Sequence, residues 1–156
     1  MPAGYSGTPL PKKLGIGEST CLTVIKPPSG YEAILGSIPK SARISRRLGT
    51  GTNLVHVFVS RCEDLSAHLQ DLRATLPDDV AVWVSWPRKS AEVPTSVTED
   101  VVRELALPLG YVDVKVCAVT EVWSGLKLVV RKDLRTQVPS RTESTDRRRV
   151  ARKSRP

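Results

Sequence analysis

Residues 54–59 read LVHVFV and residues 80–86 read VAVWVSW. Apart from His56 the first run is apolar at odd and even positions alike, and the second is apolar on both faces. Side chains alternate across a strand, so such a run needs cover above and below, as inside a parallel sheet. Between the two runs Leu65, Leu69, Leu72 and Leu76 recur at helical period. Ser60 and Glu63 stand at capping-box spacing before that helix, and Pro77, Asp78 and Asp79 make a turn after it. A strand, a helix and a second buried strand form a β-α-β unit, whose crossover is right-handed.

The same alternation extends outward in both directions. Toward the C-terminus, Thr98 caps a helix whose first turn holds Glu99 and Asp100, which suits the positive end of its dipole. Val101, Val102, Leu105 and Leu109 give its buried stripe, and residues 108–110 end it. Residues 111–119 then alternate, with Val112, Val114, Val116 and Ala118 set against Asp113, Lys115 and Cys117: a half-exposed strand. Residues 121–125 read as a turn in which Gly125 supplies a positive φ and Trp123 folds back on the sheet. Leu126 to Arg131 is the antiparallel partner.

Toward the N-terminus, residues 20–26 (TCLTVIK) are a β-rich run closed by Pro27 and Pro28. Ser29 and Glu32 have capping-box spacing, so a helix is expected over 30–35, stopped by Gly36. Residues 42–47 make a weak strand. Thr8 and Pro9 open a short helix that Gly15 closes. The expected fold is a three-layer, Rossmann-like α/β domain. Its mostly parallel sheet has about six strands and a C-terminal antiparallel hairpin adding an edge strand.

At 156 residues the chain has room for one ordinary domain. It is 40% hydrophobic and 26% charged, too apolar to be wholly disordered, and no 18-residue apolar run could span a membrane. No apolar segment follows a basic start, so no signal peptide is expected. Three cysteines without a CxxC argue against a disulfide framework or a zinc site, and for a reducing cytoplasm. The net charge of +8 is uneven: residues 133–156 hold eight basic and three acidic residues, so +5 of it sits there. With four aliphatic residues in 24, that stretch cannot offset an ordering cost of roughly 1–2 kcal/mol per residue. The expected organisation is a loose arm over 1–9, the domain over 10–132 and a disordered basic tail over 133–156.

In open α/β sheets ligands sit beyond the carboxyl ends of the strands, where strand order reverses. Three places there attract notice. Lys26, Ser29 and Gly30 follow the first strand at a helix start, where backbone N–H groups and the lysine favour an anion, although every capped helix has such an end. Arg46 and Arg47 follow the second strand, where a dinucleotide site would carry an acidic residue. They are either a solvated basic edge or contacts to a phosphate-bearing ligand. Trp86, Arg88 and Lys89 follow the fourth. Either the tryptophan caps the core beside a solvated loop, or it stacks a base whose phosphate the cations neutralise, with residues 90–97 as a lid. In the tail, Arg147, Arg148, Arg149, Arg152 and Lys153 could touch nucleic-acid phosphates or simply aid solubility.

Catalytic constellations are poor. His56 lies mid-strand and His68 on a helix between Ala67 and Leu69. Neither has a paired carboxylate by spacing, and a metal would need more ligands. Cys62 lies in a first helical turn, where thiolate is favoured, but Glu63 and Asp64 oppose it. Cys21 and Cys117 read as small buried hydrophobes.

Residues 76–130, with LPDDVAVWVSWPRKS, TEDVVRELALPLGYVDVKVCAV and WSGLKLVVR, resemble the last part of a class I, Rossmann-like methyltransferase. In that fold a strand, a helix, a strand and a terminal antiparallel strand occur in this order. With GYSGTPLPKKLGI near the start, residues 3–132 also resemble a family of small bacterial proteins defined only as a domain of unknown function. That likeness implies no activity. The methyltransferase likeness implies S-adenosylmethionine, but the residues depart from it where the cofactor binds. The glycine-rich turn is replaced by residues 26–30, the acidic residue after the second strand by Arg46 and Arg47, and the catalytic loop by residues 60–63. A helix-strand unit is missing as well, since residues 48–53 alone separate the second and third strands. The resemblance is therefore to a truncated, degenerate relative, and no catalytic residue or cofactor is carried over.

The functional expectation is a cytoplasmic, non-catalytic domain that binds an anionic or nucleotide-like ligand or a partner. Alternatives are a nucleic-acid-associated protein using its basic tail, and a small enzyme dependent on S-adenosylmethionine or a nucleotide. Oligomeric state stays open.

Overall fold

A computed structural model describes residues 8–135. Six strands form one sheet: β1 (Cys21–Ile25), β2 (Arg43–Ser45), β3 (Leu54–Phe58), β4 (Ala81–Pro87), β5 (Tyr111–Ala118) and β6 (Trp123–Val130). Their order across it is β2-β1-β3-β4-β6-β5. The pairs β1–β2, β1–β3 and β3–β4 are parallel, and β6 runs antiparallel to both β4 and β5. The fold class is the one the sequence implies. The hairpin differs in detail: β6 is inserted beside β4, and β5 takes the edge. The reason lies in burial, since β6 carries Leu126, Leu128 and Val130 inside the core while β5 leaves Val114 and Val116 exposed.

Four helices cover the two faces. α1 (Leu10–Leu14) and α2 (Tyr31–Leu35) lie over one, α3 (Cys62–Thr75) and α4 (Glu99–Ala106) over the other. On the α3/α4 face Val55, Val57, Val82, Val84, Trp86, Leu126 and Leu128 meet Leu65, Leu69, Leu72 and Val102. On the α1/α2 face Leu22, Val24, Leu54, Phe58 and Trp83 meet Leu10, Leu14, Tyr31 and Leu35. Each such fully buried aliphatic or aromatic side chain contributes about 1.5–3 kcal/mol relative to exposure. Trp83 also donates its indole N–H to the Leu14 carbonyl at 3.0 Å, tying α1 to the middle of the sheet.

Helix ends show which local signals act. Thr98 accepts from the Val101 N–H at 3.2 Å, a side-chain cap as expected. The two capping boxes do not form. α2 begins one residue after Gly30, which stands at φ 75°, and no side chain caps it. α3 is preceded by Arg61, and its Cys62 N–H is taken by the hydroxyl of Ser96, 2.8 Å away and 34 residues later. Where a helix-strand unit is missing between β2 and β3, residues 46–53 cross over the sheet. Thr52 and Thr23 share a buried 2.8 Å hydrogen bond there, and Leu48 packs against the α3/α4 core.

One expectation about glycine changes. Residues 123–125 belong to β6 rather than to the turn, and Gly125 does not have a positive φ. It is needed for close approach: a Cβ there would lie 2.9 Å from Val119 Cγ2 and 3.4 Å from Trp83 Cε3. The described chain also runs past Lys132 into a 3₁₀ turn over Lys132–Leu134, and Arg135 donates to the Val130 carbonyl at 2.9 Å. Arg147, Arg148, Arg149, Arg152 and Lys153, and most of the expected arm, lie outside the described residues.

Candidate functional site

The sheet order reverses between β1 and β3, because β1 is followed on one side by β2 and on the other by β3. A crevice beyond the carboxyl ends of strands at such a point is where open α/β sheets take ligands. Two cavities open there, and Lys26 lines both.

The first, about 560 Å³, runs along the end of β1 and includes Lys26, Pro28, Ser29, Gly30 and Arg46. The structure therefore brings together four of the residues singled out from sequence. Lys26 is exposed and held at φ 56°, the left-handed region. For a non-glycine residue that conformation costs about 1–2 kcal/mol, and proline at the next position adds restriction. Arg46 is not a lone cation, since its guanidinium donates to the Glu32 carboxylate at 2.7 Å. Arg47 faces elsewhere, into a small cavity with Thr23, Arg43 and Thr52.

The second cavity, about 620 Å³, lies between the ends of β1 and β3 and the start of β6. Its walls are Lys26, Phe58, Ser60, Asp64, His68 and Trp123, together with Val59 and Ala67. Phe58 and Trp123 pack edge to face with centroids 5.0 Å apart, and Trp123 keeps part of its surface open. Asp64 and His68 stand one turn apart on α3 and present to the same space. Both volumes fall within the 300–1,000 Å³ typical of small-molecule sites.

Beneath the rim lies a buried polar chain. His56 Nδ1 and the Tyr31 hydroxyl are 2.9 Å apart, and His56 Nε2 and the Ser85 hydroxyl 2.7 Å apart. Burial drives the His56 imidazole down to about 3, so it is neutral, and pushes the Tyr31 phenol well above its ordinary range. The His56 and Phe58 rings lie 4.3 Å apart, so this chain sets the ring that forms the cavity wall.

Trp86 does not reach the rim. It is 6% exposed and packs in the core under α3 and α4, so it offers no free face for stacking. Arg88 turns to a trough beside α1, and Lys89 stands exposed in a 3₁₀ turn over Lys89–Ala91. Residues 90–97 are pinned rather than draped over the rim: the Ser96 N–H and the Thr95 hydroxyl both donate to the Ser60 carbonyl, at 2.9 and 2.8 Å. Sequence reading does not single out as site residues Phe58, Ser60, Asp64 or Trp123, which line the second cavity with His68. The four-residue spacing of Asp64 and His68 on one helix was the available signal. Among the described residues no group of three His, Cys, Asp or Glu could hold a metal ion, and no helix is long and apolar enough to cross a membrane.

Comparison with known proteins places this architecture. The chain superimposes on fibrillarin, a pre-rRNA processing protein of Methanococcus jannaschii, with a TM-score of 0.52 and 9% identity over 81% of this chain and 70% of that one. Fibrillarin of Aeropyrum pernix, solved with natively bound S-adenosyl-L-methionine, gives 0.51 and 15% over the same shares. The m1A22 tRNA methyltransferase TrmK of Bacillus subtilis gives 0.53 and 11% over 86% and 72%. The fold is that of the class I methyltransferases. No protein-family model and no curated protein sequence matches the chain.

The rim differs in its residues from a usual S-adenosylmethionine site. That molecule carries a sulfonium, an ammonium and a carboxylate group, and the turn after β1 presents Lys26 in place of a glycine cradle. The end of β2 presents Arg46 paired with Glu32, where a carboxylate alone would take the ribose hydroxyls. These residues do not fit the donor as its usual holders would.

Proposed function

We propose that this chain is a non-catalytic, Rossmann-like binding domain whose ligand lies along the rim from Arg46 to Trp123. The ligand is nucleotide-like: a phosphate beside Lys26, with Arg46 at the far end, and a flat ring against the edge-to-face pair of Phe58 and Trp123. One observation carries this reading. Lys26, strained at φ 56°, stands where the cationic cavity and the aromatic cavity meet, at the topological switch of the sheet. Strain held at such a point is characteristic of binding sites. The non-catalytic part is supported by the turn after β1, where the exposed Lys26 stands in place of a glycine cradle and faces a donor of net positive charge.

The test is a thermal-shift series with AMP, ADP, coenzyme A, a nicotinamide dinucleotide and S-adenosylhomocysteine. Phosphate-bearing ligands are expected to raise the melting temperature, and Lys26→Glu to abolish the rise. Turnover of any of them would overturn the non-catalytic reading.

A second reading, an S-adenosylmethionine-binding domain or small enzyme, has one observation in its favour beyond the fold. Glu32, bonded to Arg46, brings a carboxylate to the end of β2 from a different element. A larger shift with S-adenosylhomocysteine than with ADP, lost in Glu32→Gln, would select it.

A further inference from the structure

On the far side of the domain from β2, a trough of about 770 Å³ runs between α1 and the end of β5. Four of its nine lining residues are cations, Lys12, Lys13, Arg88 and Lys115, and none is acidic. They come from three elements: α1, the turn after β4, and β5. We propose that this trough is a docking groove for a nucleic-acid backbone, whose phosphodiester groups lie against Lys12, Arg88 and Lys115. This surface is separate from the rim and does not depend on the rim's ligand.

The walls are built rather than accidental. Lys13 is 9% exposed, and its ammonium donates to the Ala118 carbonyl at 3.2 Å. Lys115 donates back to the Lys13 carbonyl at 3.2 Å. These two bonds fasten α1 to the end of β5 and fix the width of the groove. Elsewhere in the domain arginines neutralise carboxylates, as with Arg46 and Glu32, Arg73 and Asp78, Arg103 and Asp113, and Arg131 and Asp133. Lys12, Arg88 and Lys115 have no such partner among the described residues. Converging like charges repel one another, so a cluster left unneutralised is completed by an anion from outside. Burial pushes the Cys117 thiol up against the pull of Lys13 and Lys115, so the wall adds no negative charge of its own.

The choice of a polyanion strand over an acidic protein follows from what the trough lacks. Protein partners are held by buried aromatic or aliphatic anchors in well-packed pockets. Here the apolar lining amounts to the half-exposed Val116 with Cys117 and Ala118. Phosphate contacts need charge on long, adaptable stems and no side-chain pocket, and they carry no sequence information.

The experiment uses the full chain with fluorescein-labelled oligo(dT) and oligo(U), titrated at several salt concentrations. Lys12→Glu/Lys115→Glu is compared with Lys40→Glu/Lys132→Glu, an equal charge change on exposed residues outside the trough. A third variant reverses Arg147, Arg148 and Arg149. Lys12→Gln/Lys115→Gln serves if the reversal variant does not fold. The expected result is salt-sensitive binding that the groove reversal weakens about tenfold or more beyond the control pair. The slope of log K against log salt should fall by about 0.7 for each phosphate that the variant no longer neutralises. The idea is overturned if the wild type does not bind. It is also overturned if groove and control variants behave alike, if the tail reversal alone abolishes binding, or if poly-glutamate binds while both oligonucleotides do not.

Discussion

The Tyr31 hydroxyl and His56 Nδ1 lie 2.9 Å apart in the interior, joining the first residue of α2 to the centre of β3. His56 closes the chain on Ser85 of β4, so three elements share one polar network. Buried polar groups of this kind stabilise only while each has its partner. The network holds Phe58 in place from below, and Phe58 forms the aromatic wall of the rim cavity.

This network makes stability depend on pH in a definite direction. Burial lowers the folded-state pKa of His56 from its ordinary 6.5 to about 3. The unfolded chain therefore binds the extra proton between those values, while the folded one does not. Stability from this group is fully present above about pH 6.5 and falls by roughly 1.4 kcal/mol per pH unit below it, levelling near pH 3. Urea unfolding at pH 7, 6 and 5 should show that slope, and His56→Gln should remove it. At pH 7 the same variant should lose about 1–3 kcal/mol, because the Tyr31 and Ser85 hydroxyls lose their partner.

Gly125→Ala tests the close approach at the hairpin. Its methyl would meet Val119 Cγ2 at 2.9 Å, backed by Trp83 Cε3 at 3.4 Å in a packed core. Overpacking at such a site costs about 1–3 kcal/mol, readable as a lower denaturation midpoint with an unchanged slope. A neutral result would mean that β6 and the Val119 turn leave room for a methyl group.

Much of the fold is legible because β3 and β4 are apolar on both faces, and few environments besides a covered parallel sheet accept that pattern. The position of β6 is not legible in the same way. Its pairing with β4 depends on which of two hairpin strands buries more apolar surface, and WSG at 123–125 carries turn chemistry into a strand. The capping boxes at Ser29 and Ser60 fail because capping depends on the chain's approach to the helix. α2 starts after Gly30 in the left-handed region, and α3 takes its cap from Ser96, a tertiary contact that no local window contains. At the rim, Lys26, Ser29, Gly30 and Arg46 are foreseeable from topology alone, since they follow β1 and β2. Phe58 and Trp123 are not, because an aromatic at a strand end reads equally as core. Trp86 shows the same ambiguity: at the end of β4 it reads as core cap or as stacking plate, and its face of the strand is covered by α3 and α4.

The environments of the three tryptophans give a spectroscopic check. Trp83 and Trp86 are buried, whereas Trp123 is partly exposed at the rim. Iodide should quench one fraction of the emission, and Trp123→Phe should remove that fraction. A bound nucleotide should shield it. Quenching that survives in Trp123→Phe would place another indole at the surface.

Lys26→Gly separates stability from binding. Glycine relieves the left-handed conformation, worth about 1–2 kcal/mol, but loosens the unfolded chain by about 0.5–1 kcal/mol. The folded protein should gain up to about 1.5 kcal/mol, with its melting temperature raised, while nucleotide affinity falls. Loss of stability would show that Lys26 holds the turn through contacts of its own.

The most direct test of the rim as a nucleotide-like site is calorimetric titration of the full chain with ADP and S-adenosylhomocysteine, on the wild type and on Lys26→Glu. Saturable heat with ADP, weakened at least about tenfold by the substitution, is the predicted result; opposing a phosphate with a carboxylate costs more than about 1.4 kcal/mol. Absence of ADP binding, together with micromolar S-adenosylhomocysteine binding that ignores the charge at position 26, would contradict it.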